Sequence, residues 1–265
     1  MEYKVYYFSG TGNTYYYAYY LAKELNVEAC NIYEEENYDL KGKTIILLFP
    51  NYFGRIPLGV EEFLDKIECD YSTTFYAFVS ATKKNGNILE KLDSILQRKS
   101  TKLSFGSYIK SPNNNIISMW GKCTGPHQSI KLLNSGKTKI LSYLSLIKDG
   151  KEEAYPKYKN MNPKKYAKLD TKEFKEKLST FGDKFMLNGE CIRCRMCELN
   201  CKRANIGFLE GILVWKDKCE GCLNCISNCP YNAIEFEGIT RGKVRYKNPL
   251  VGIDEYGFYV KGEEE

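Results

Sequence analysis

Short, fully apolar runs alternate with amphipathic stretches through the first half of the chain. Lys4–Phe8, Val27–Ile32, Thr44–Phe49, Phe75–Ala81 and Leu103–Ile109 read as strands, and Thr14–Leu25, Leu58–Ile67 and Gly86–Arg98 read as helices. A run such as TIILLFP, Thr44–Pro50, has no polar face, so both of its faces must be covered. That is the pattern of a parallel sheet with helices on either side. His127–Lys148 predicts one more helix, with Asn134-Ser135-Gly136 a candidate break. Beyond it, Asp149–Asp170 is polar, lysine-rich and punctuated by Pro156 and Pro163, which reads as a linker. A helical segment, Thr171–Phe185, leads into a cysteine-rich region, and the chain after Ile239 reads as extended. The expected division is a domain over 1–150, linker and helix over 151–185, a small domain over 186–240 and a tail over 241–265.

The first strand runs into Ser9-Gly10-Thr11-Gly12-Asn13-Thr14 and then into a helix. A helix N-terminus offers unpaired N–H groups and a partial positive charge, so a loop of small residues entering it suits a phosphate. A Walker loop would end in Gly-Lys-Ser/Thr, and a dinucleotide fingerprint would place a glycine where Tyr15 stands. The remaining reading is a mononucleotide phosphate loop; the bland alternative is a plain strand-to-helix turn. This loop resembles that of the flavodoxin family, and the resemblance extends over residues 1–145. It implies FMN at the carboxyl ends of the strands of a doubly wound, five-stranded α/β sheet. Two further loops would then reach the flavin ring. They are Pro50-Asn51-Tyr52-Phe53-Gly54, with Tyr52 favoured to stack, and Ala81-Thr82 through Gly86. The second loop has no aromatic residue, which leaves Trp120 or the cysteine-rich region to cover the ring's other face. Tyr52 also has an ordinary packing reading.

Eight of the eleven cysteines lie between Cys191 and Cys229, a clustering that favours metal ligation over a disulfide framework. Cys30, Cys69 and Cys123 read as small buried hydrophobes. Within the cluster, Cys191, Cys194, Cys197 and Cys201 repeat with the same spacing as Cys219, Cys222, Cys225 and Cys229. Structural zinc prefers separated ligand pairs, so this spacing weighs against it. The repeat resembles the bacterial two-cluster ferredoxins over residues 188–237. That resemblance implies two [4Fe-4S] clusters in a small α+β domain with crossed ligation, each run giving its fourth cysteine to the other cluster. Cys191, Cys194, Cys197 and Cys229 would hold one cluster, and Cys219, Cys222, Cys225 and Cys201 the second. Lys202 follows Cys201 where a proline follows Cys229, and a cation there would favour the reduced form of the second cluster.

The combination resembles the EFR1-type ferredoxin family, flavodoxin–ferredoxin fusions that carry electrons. Two weaker features, Ser111–Asn115 and Arg245–Pro249, look like that family's loop after the fifth strand and its basic-aromatic tail. The resemblance implies one-electron transfer between FMN, the two clusters and a soluble redox partner protein. The alternative is a flavin-dependent reductase of a small molecule, fed by the clusters. Lone His127 does not argue for acid–base catalysis, and no nicotinamide site is legible.

Composition changes this picture little. A formal charge of +6 invites a nucleic-acid reading, but residues 191–265 balance and the excess is split evenly between 1–150 and 151–190. Two clusters with their thiolates would remove most of it, so no nucleic-acid partner is expected. No apolar run approaches the roughly 18 residues of a membrane span, and the first strand begins without a leader. The expectation is a cytoplasmic protein with no membrane partner.

Overall fold

The computed structural model describes residues 2–83, 86–157 and 171–263. Lys84 and Asn85 of the second expected flavin loop lie outside the described residues, as does 158–170 of the expected linker. Two compact units are defined by internal contacts. The first comprises residues up to Ser9, Asn13–Ser111 and 131 onward to the linker; the second comprises Gly10–Gly12, Pro112–Ile130 and the chain from Thr171.

In the first unit, β1 (Tyr3–Tyr7), β2 (Ala29–Asn31), β3 (Thr44–Pro50), β4 (Thr74–Ala81) and β5 (Leu103–Lys110) form one sheet in the order β2-β1-β3-β4-β5. Every pairing is parallel. This is the flavodoxin-like doubly wound order, and its switch point lies between β1 and β3, where connections leave in opposite directions and open a crevice at the strand ends. Ile45–Phe49 of β3 are essentially inaccessible, which is why the run tolerates no polar residue. Helices α1 (Asn13–Leu25), α2 (Leu58–Lys66) and α3 (Ile88–Gln97) cross over between strands. In α1, Tyr16, Tyr17, Ala18, Leu21, Ala22 and Leu25 are buried while Tyr15, Tyr19 and Tyr20 are half-buried, so the tyrosine run divides between two helix faces.

Helix α4 (Pro126–Leu141) runs unbroken through the candidate break Asn134-Ser135-Gly136; the single helix expected over His127–Lys148 is instead interrupted at Ser142 and Tyr143, before α5 (Leu144–Lys148). Tertiary contacts explain the difference. Tyr16 Oη donates to Asn134 Oδ1 at 2.9 Å, and a Cβ on Gly136 would lie 2.6 Å from Tyr17 Oη. The helix therefore uses its turn-forming residues to admit the tyrosines of α1 rather than to stop.

The second unit is built from short antiparallel ribbons. Phe185–Leu187 pairs with Ile234–Phe236, Ile206–Leu209 with Ile212–Trp215, and Val251–Ile253 with Phe258–Val260. The expected helix over Thr171–Phe185 is shorter: Lys172–Ser179, capped by Thr171 Oγ1 accepting from Phe174 N, then a 3-10 turn over Thr180–Lys184. Phe185, Leu223, Ile226, Ile234 and Phe236 form a small core with Ile116 and Ile117, and Trp215 stacks on Phe185 at 5.6 Å. Arg245 is buried in this unit, with Nη2 on Glu235 at 2.8 Å and on the Ile234 carbonyl, and Nη1 on the Thr240 carbonyl. This side of the basic-aromatic tail is thereby engaged in holding its own loop.

Candidate cofactor sites

Each cysteine run makes the same backbone excursion. Arg193 and Arg195 of the first run and Gly221 and Leu223 of the second all have positive φ, between 59° and 68°, and the pattern recurs at Ala204 and Asn232, three residues after Cys201 and Cys229. For residues other than glycine this conformation costs roughly 1 kcal/mol or more each. Alternating right- and left-handed residues turn successive N–H groups inward, forming a concavity that suits an anionic cluster. One-turn helices, Met196–Leu199 and Asn224–Asn228, begin directly after Arg195 and Leu223. The last cysteine of each run also accepts a matched bond: Asn205 N donates to Cys201 Sγ and Ala233 N to Cys229 Sγ, both at 3.3 Å. The duplication in sequence is thus a duplication in conformation.

Folding sorts the eight sulfurs into two sets. Cys191, Cys194, Cys197 and Cys229 line one cavity; Cys201, Cys219, Cys222 and Cys225 line another. Among the described residues no three His, Cys, Asp or Glu side chains converge closely enough for a single metal ion; the sulfurs stand on the cavity walls instead. Burial pushes the Cys197 and Cys219 thiols up to about 11 and those of Cys201, Cys222 and Cys225 upward as well. Thiolates so placed need positive charge, which iron supplies. The buried indole Nε1 of Trp215, on the wall of the second cavity, has no geometrically formed hydrogen bond, yet it lies near enough to Cys225 to favour that sulfur's ionised form. A cluster sulfur would accept it. These residues fit [4Fe-4S] groups.

The three outlying cysteines are half-buried rather than core residues, and Cys123 Sγ donates to the Val244 carbonyl at 3.4 Å. Burial raises all three thiols, that of Cys30 to about 11, so none is an activated nucleophile.

Residues 212–235 match the 4Fe-4S binding domain family. The match includes Cys219, Cys222, Cys225 and Cys229, so a 4Fe-4S-binding segment follows the flavodoxin-like fold. No curated protein matches the chain. Among solved structures, a flavodoxin from the domain Archaea is 17% identical and aligns over 56% of this chain and 99% of its own, with a TM-score of 0.39. A flavodoxin, WrbA-like protein from Agrobacterium tumefaciens is 16% identical over 57% of this chain and 99% of its own, with a TM-score of 0.34. The flavodiiron protein from Giardia intestinalis is 12% identical over 57% of this chain and 38% of its own, with a TM-score of 0.31. At that degree of overlap the fold rests on the strand order itself. Together, the fold and the 4Fe-4S segment support a redox, electron-transfer role. No helix among the described residues is long and apolar enough to cross a membrane.

In the first unit, the described residues of the two loops expected around a flavin ring meet at the carboxyl ends of β3 and β4. Asn51 N donates to the Ser80 carbonyl at 2.9 Å, and Thr14 Oγ1 and Ser80 Oγ are 2.6 Å apart. Phe53 and Gly54 both have positive φ, and the turn is closed by Gly54 N on Asn51 Oδ1 and Arg55 N on the Tyr52 carbonyl. Gly86 packs on Gly54 so closely that a Cβ would collide with the Gly54 backbone, and Tyr108 Oη donates to the Gly86 carbonyl at 3.3 Å. The two expected ring-contacting loops are therefore one assembly. Tyr52 is half-buried and packs edge-on against Phe8, while Phe53 is the exposed aromatic of the loop. Ala81 is buried and Thr82 exposed. Behind the turn, Arg55 Nη2 and Lys91 Nζ bind the two carboxylate oxygens of Glu61 at 2.9 and 2.6 Å, a buried network that the periodicity of the sequence gave no means of finding.

Ser9, Thr11, Asn13 and Thr14 are buried. Gly10–Gly12 belong with the second unit, where Asn114 Nδ2 donates to Thr11 Oγ1 at 2.9 Å. Gly12 has φ +82°, and a Cβ there would lie 2.8 Å from Val251 Cγ1. Among the described residues the N–H groups of Gly10, Thr11 and Gly12 enter no backbone hydrogen bond, which leaves them for an anion. The loop fits the phosphate of a mononucleotide. Trp120, the suggested cover for the flavin, is 89% exposed, and His127 is exposed near the start of α4.

Proposed function

We propose that this chain is a one-electron carrier of the EFR1 type, holding FMN and two [4Fe-4S] clusters and exchanging electrons with a soluble redox partner protein. The observation that carries the reading is the pair of cavities, each lined by four cysteines whose runs make the same left-handed excursions. Cys191, Cys194, Cys197 and Cys229 hold one cluster and Cys201, Cys219, Cys222 and Cys225 the second. The N–H groups of Gly10–Gly12, with the side chains of Ser9, Thr11, Asn13 and Thr14, bind the flavin phosphate. The turn Pro50–Gly54 and the segment Ala81, Thr82 and Gly86 orient the ring. These cofactors supply one-electron chemistry; the protein supplies position, charge and exclusion of water.

Protein purified without air is expected to contain about eight irons and eight acid-labile sulfides per chain, measured by colorimetric iron and sulfide assays. Stoichiometric zinc without sulfide would end the reading.

The flavin and cluster modules are joined by more than the linker, because Gly10–Gly12 and Pro112–Ile130 belong with the second unit, and this connection keeps them at high effective concentration. After rapid reduction of the clusters by a small reductant, the flavin absorbance is expected to follow at a rate independent of protein concentration. Concentration-proportional transfer in the intact chain would mean two independent carriers sharing a polypeptide.

A further inference from the structure

The ribbon that pairs Ile206–Leu209 with Ile212–Trp215 serves both cysteine cavities. Phe208 and Leu213, opposite each other in it, line the cavity of Cys191, Cys194, Cys197 and Cys229; Ile206 and Trp215, the pair two positions along, line that of Cys201, Cys219, Cys222 and Cys225. Positions two apart on a strand share a face, so one face of the ribbon gives Leu213 to the first cavity and Trp215 to the second.

Of these four side chains only the indole has a polar atom. Its Nε1 is buried and has no hydrogen-bond partner among the described residues. The ring is held in place: it stacks on Phe185 at 5.6 Å with the planes 17° apart, and a Cβ on Gly182 would lie 2.9 Å from the Trp215 Cβ. Burial raises the Cys225 thiol, and the Trp215 N–H acts the other way, favouring the ionised sulfur. Other donors on this wall are engaged, Asn224 Nδ2 with the Asn200 carbonyl at 2.7 Å and Arg203 Nε with the Lys218 carbonyl at 3.2 Å. Arg203 and buried Glu220, the charged residues of the wall, both have partners, and Lys202, the cation expected to ease reduction here, is not on it.

A buried N–H without an acceptor costs free energy, and a sulfur filling the cavity relieves that cost. Reduction adds one electron, taken from the reductant; no covalent bond forms or breaks, and the proton stays on Nε1. The added electron makes the sulfurs more negative, so a hydrogen bond to one of them strengthens on reduction, most where water is excluded.

We propose that Trp215 donates its indole N–H to a sulfur of the cluster held by Cys201, Cys219, Cys222 and Cys225 and thereby raises the reduction potential of that cluster and not of the other. The inference rests on the two-cluster reading and deepens it: a single N–H distinguishes two sites that repeat each other in sequence and backbone. Trp215 is a potential-setting donor, not a ligand.

The test removes the N–H and keeps the ring. The chain has two tryptophans, and Trp120 is 89% exposed. In a Trp120→Phe background, biosynthetic incorporation of benzothienylalanine, which has sulfur in place of the indole N–H, therefore alters position 215 alone. Anaerobic reductive titration followed by electron paramagnetic resonance reads both clusters, and Cys222→Ser, which removes the second cavity's cluster, identifies its signal. At a fixed potential, benzothienylalanine should lower the ratio of reduced to oxidised second cluster about tenfold, equivalent to about 59 mV for one electron, and leave the first within about twofold. Fluorotryptophan, a more acidic donor of nearly the same shape, should raise that ratio; a residue that only packs would give neither shift. A ratio unchanged by benzothienylalanine, or an equal fall at both clusters, would overturn the inference. Should that variant not assemble its second cluster, the fluorotryptophan result decides, and no rise there overturns it. A content of only about four irons per unmodified chain would instead defeat the two-cluster reading.

Discussion

Cys229→Ser is expected to cost the chain one cluster, and the one lost should be that of the other run. The iron content should fall from about eight to about four per chain, while Cys219, Cys222 and Cys225 keep theirs. The physical reason is the sorting of sulfurs: Cys229 stands on the same cavity wall as Cys191, Cys194 and Cys197, not with the run to which it belongs in sequence. Three thiolates leave one iron corner without its protein ligand, and the hydroxyl of serine is a poorer, harder donor. Cys201→Ser should do the reverse, exposing Cys219, Cys222 and Cys225. Alkylation of the anaerobic protein followed by mass spectrometry reads the result directly, because cysteines without iron become labelled. Loss confined to the substituted cysteine's own run in both variants would mean that ligation is not crossed.

Gly12→Asp is expected to lower FMN affinity by at least about a hundredfold, roughly 2.8 kcal/mol, with the cluster content unchanged. Two effects combine. On the proposed reading a carboxylate would add a negative charge to the loop whose N–H groups bind the phosphate, and like charges in a weakly polarisable site repel strongly. A side chain at φ +82° is also strained and would press on Val251 and Phe258 of the terminal hairpin. Gly12→Ala carries the strain and the close approach without the charge, so the extra loss in Gly12→Asp isolates the electrostatic part. Flavin fluorescence titration of the two variants measures both. Normal affinity in Gly12→Asp would place the phosphate elsewhere.

Those two variants mark the boundary between what is local and what is not. The cysteine spacing, repeated across 28 positions from Cys191 to Cys219, is a property of the chain alone, and so is the order of small residues from Ser9 to Thr14. Which sulfurs share a cavity is a property of packing: Cys197, Cys219, Cys225 and Cys229, from both runs, pack against one core that includes Phe185, Ile226, Ile234 and Phe236. Legibility failed in the same way elsewhere. Asn134-Ser135-Gly136 signals a turn by composition, but the tyrosines of α1 determine whether the helix stops. Lys202 and Glu220 are equally visible as charges, and their burial is not.

The sequence by itself determined the alternation of strand and helix through residue 110, the run of small residues at the first strand-to-helix turn and the duplicated four-cysteine runs. Each depends on near neighbours: side-chain period, turn chemistry, ligand spacing. Only the tertiary structure decided the strand order β2-β1-β3-β4-β5, the contact of Gly54 with Gly86, the partition of the eight sulfurs and the burial of Glu220. Those features join residues far apart in the chain, and burial depends on everything packed around a residue, so no local pattern encodes them.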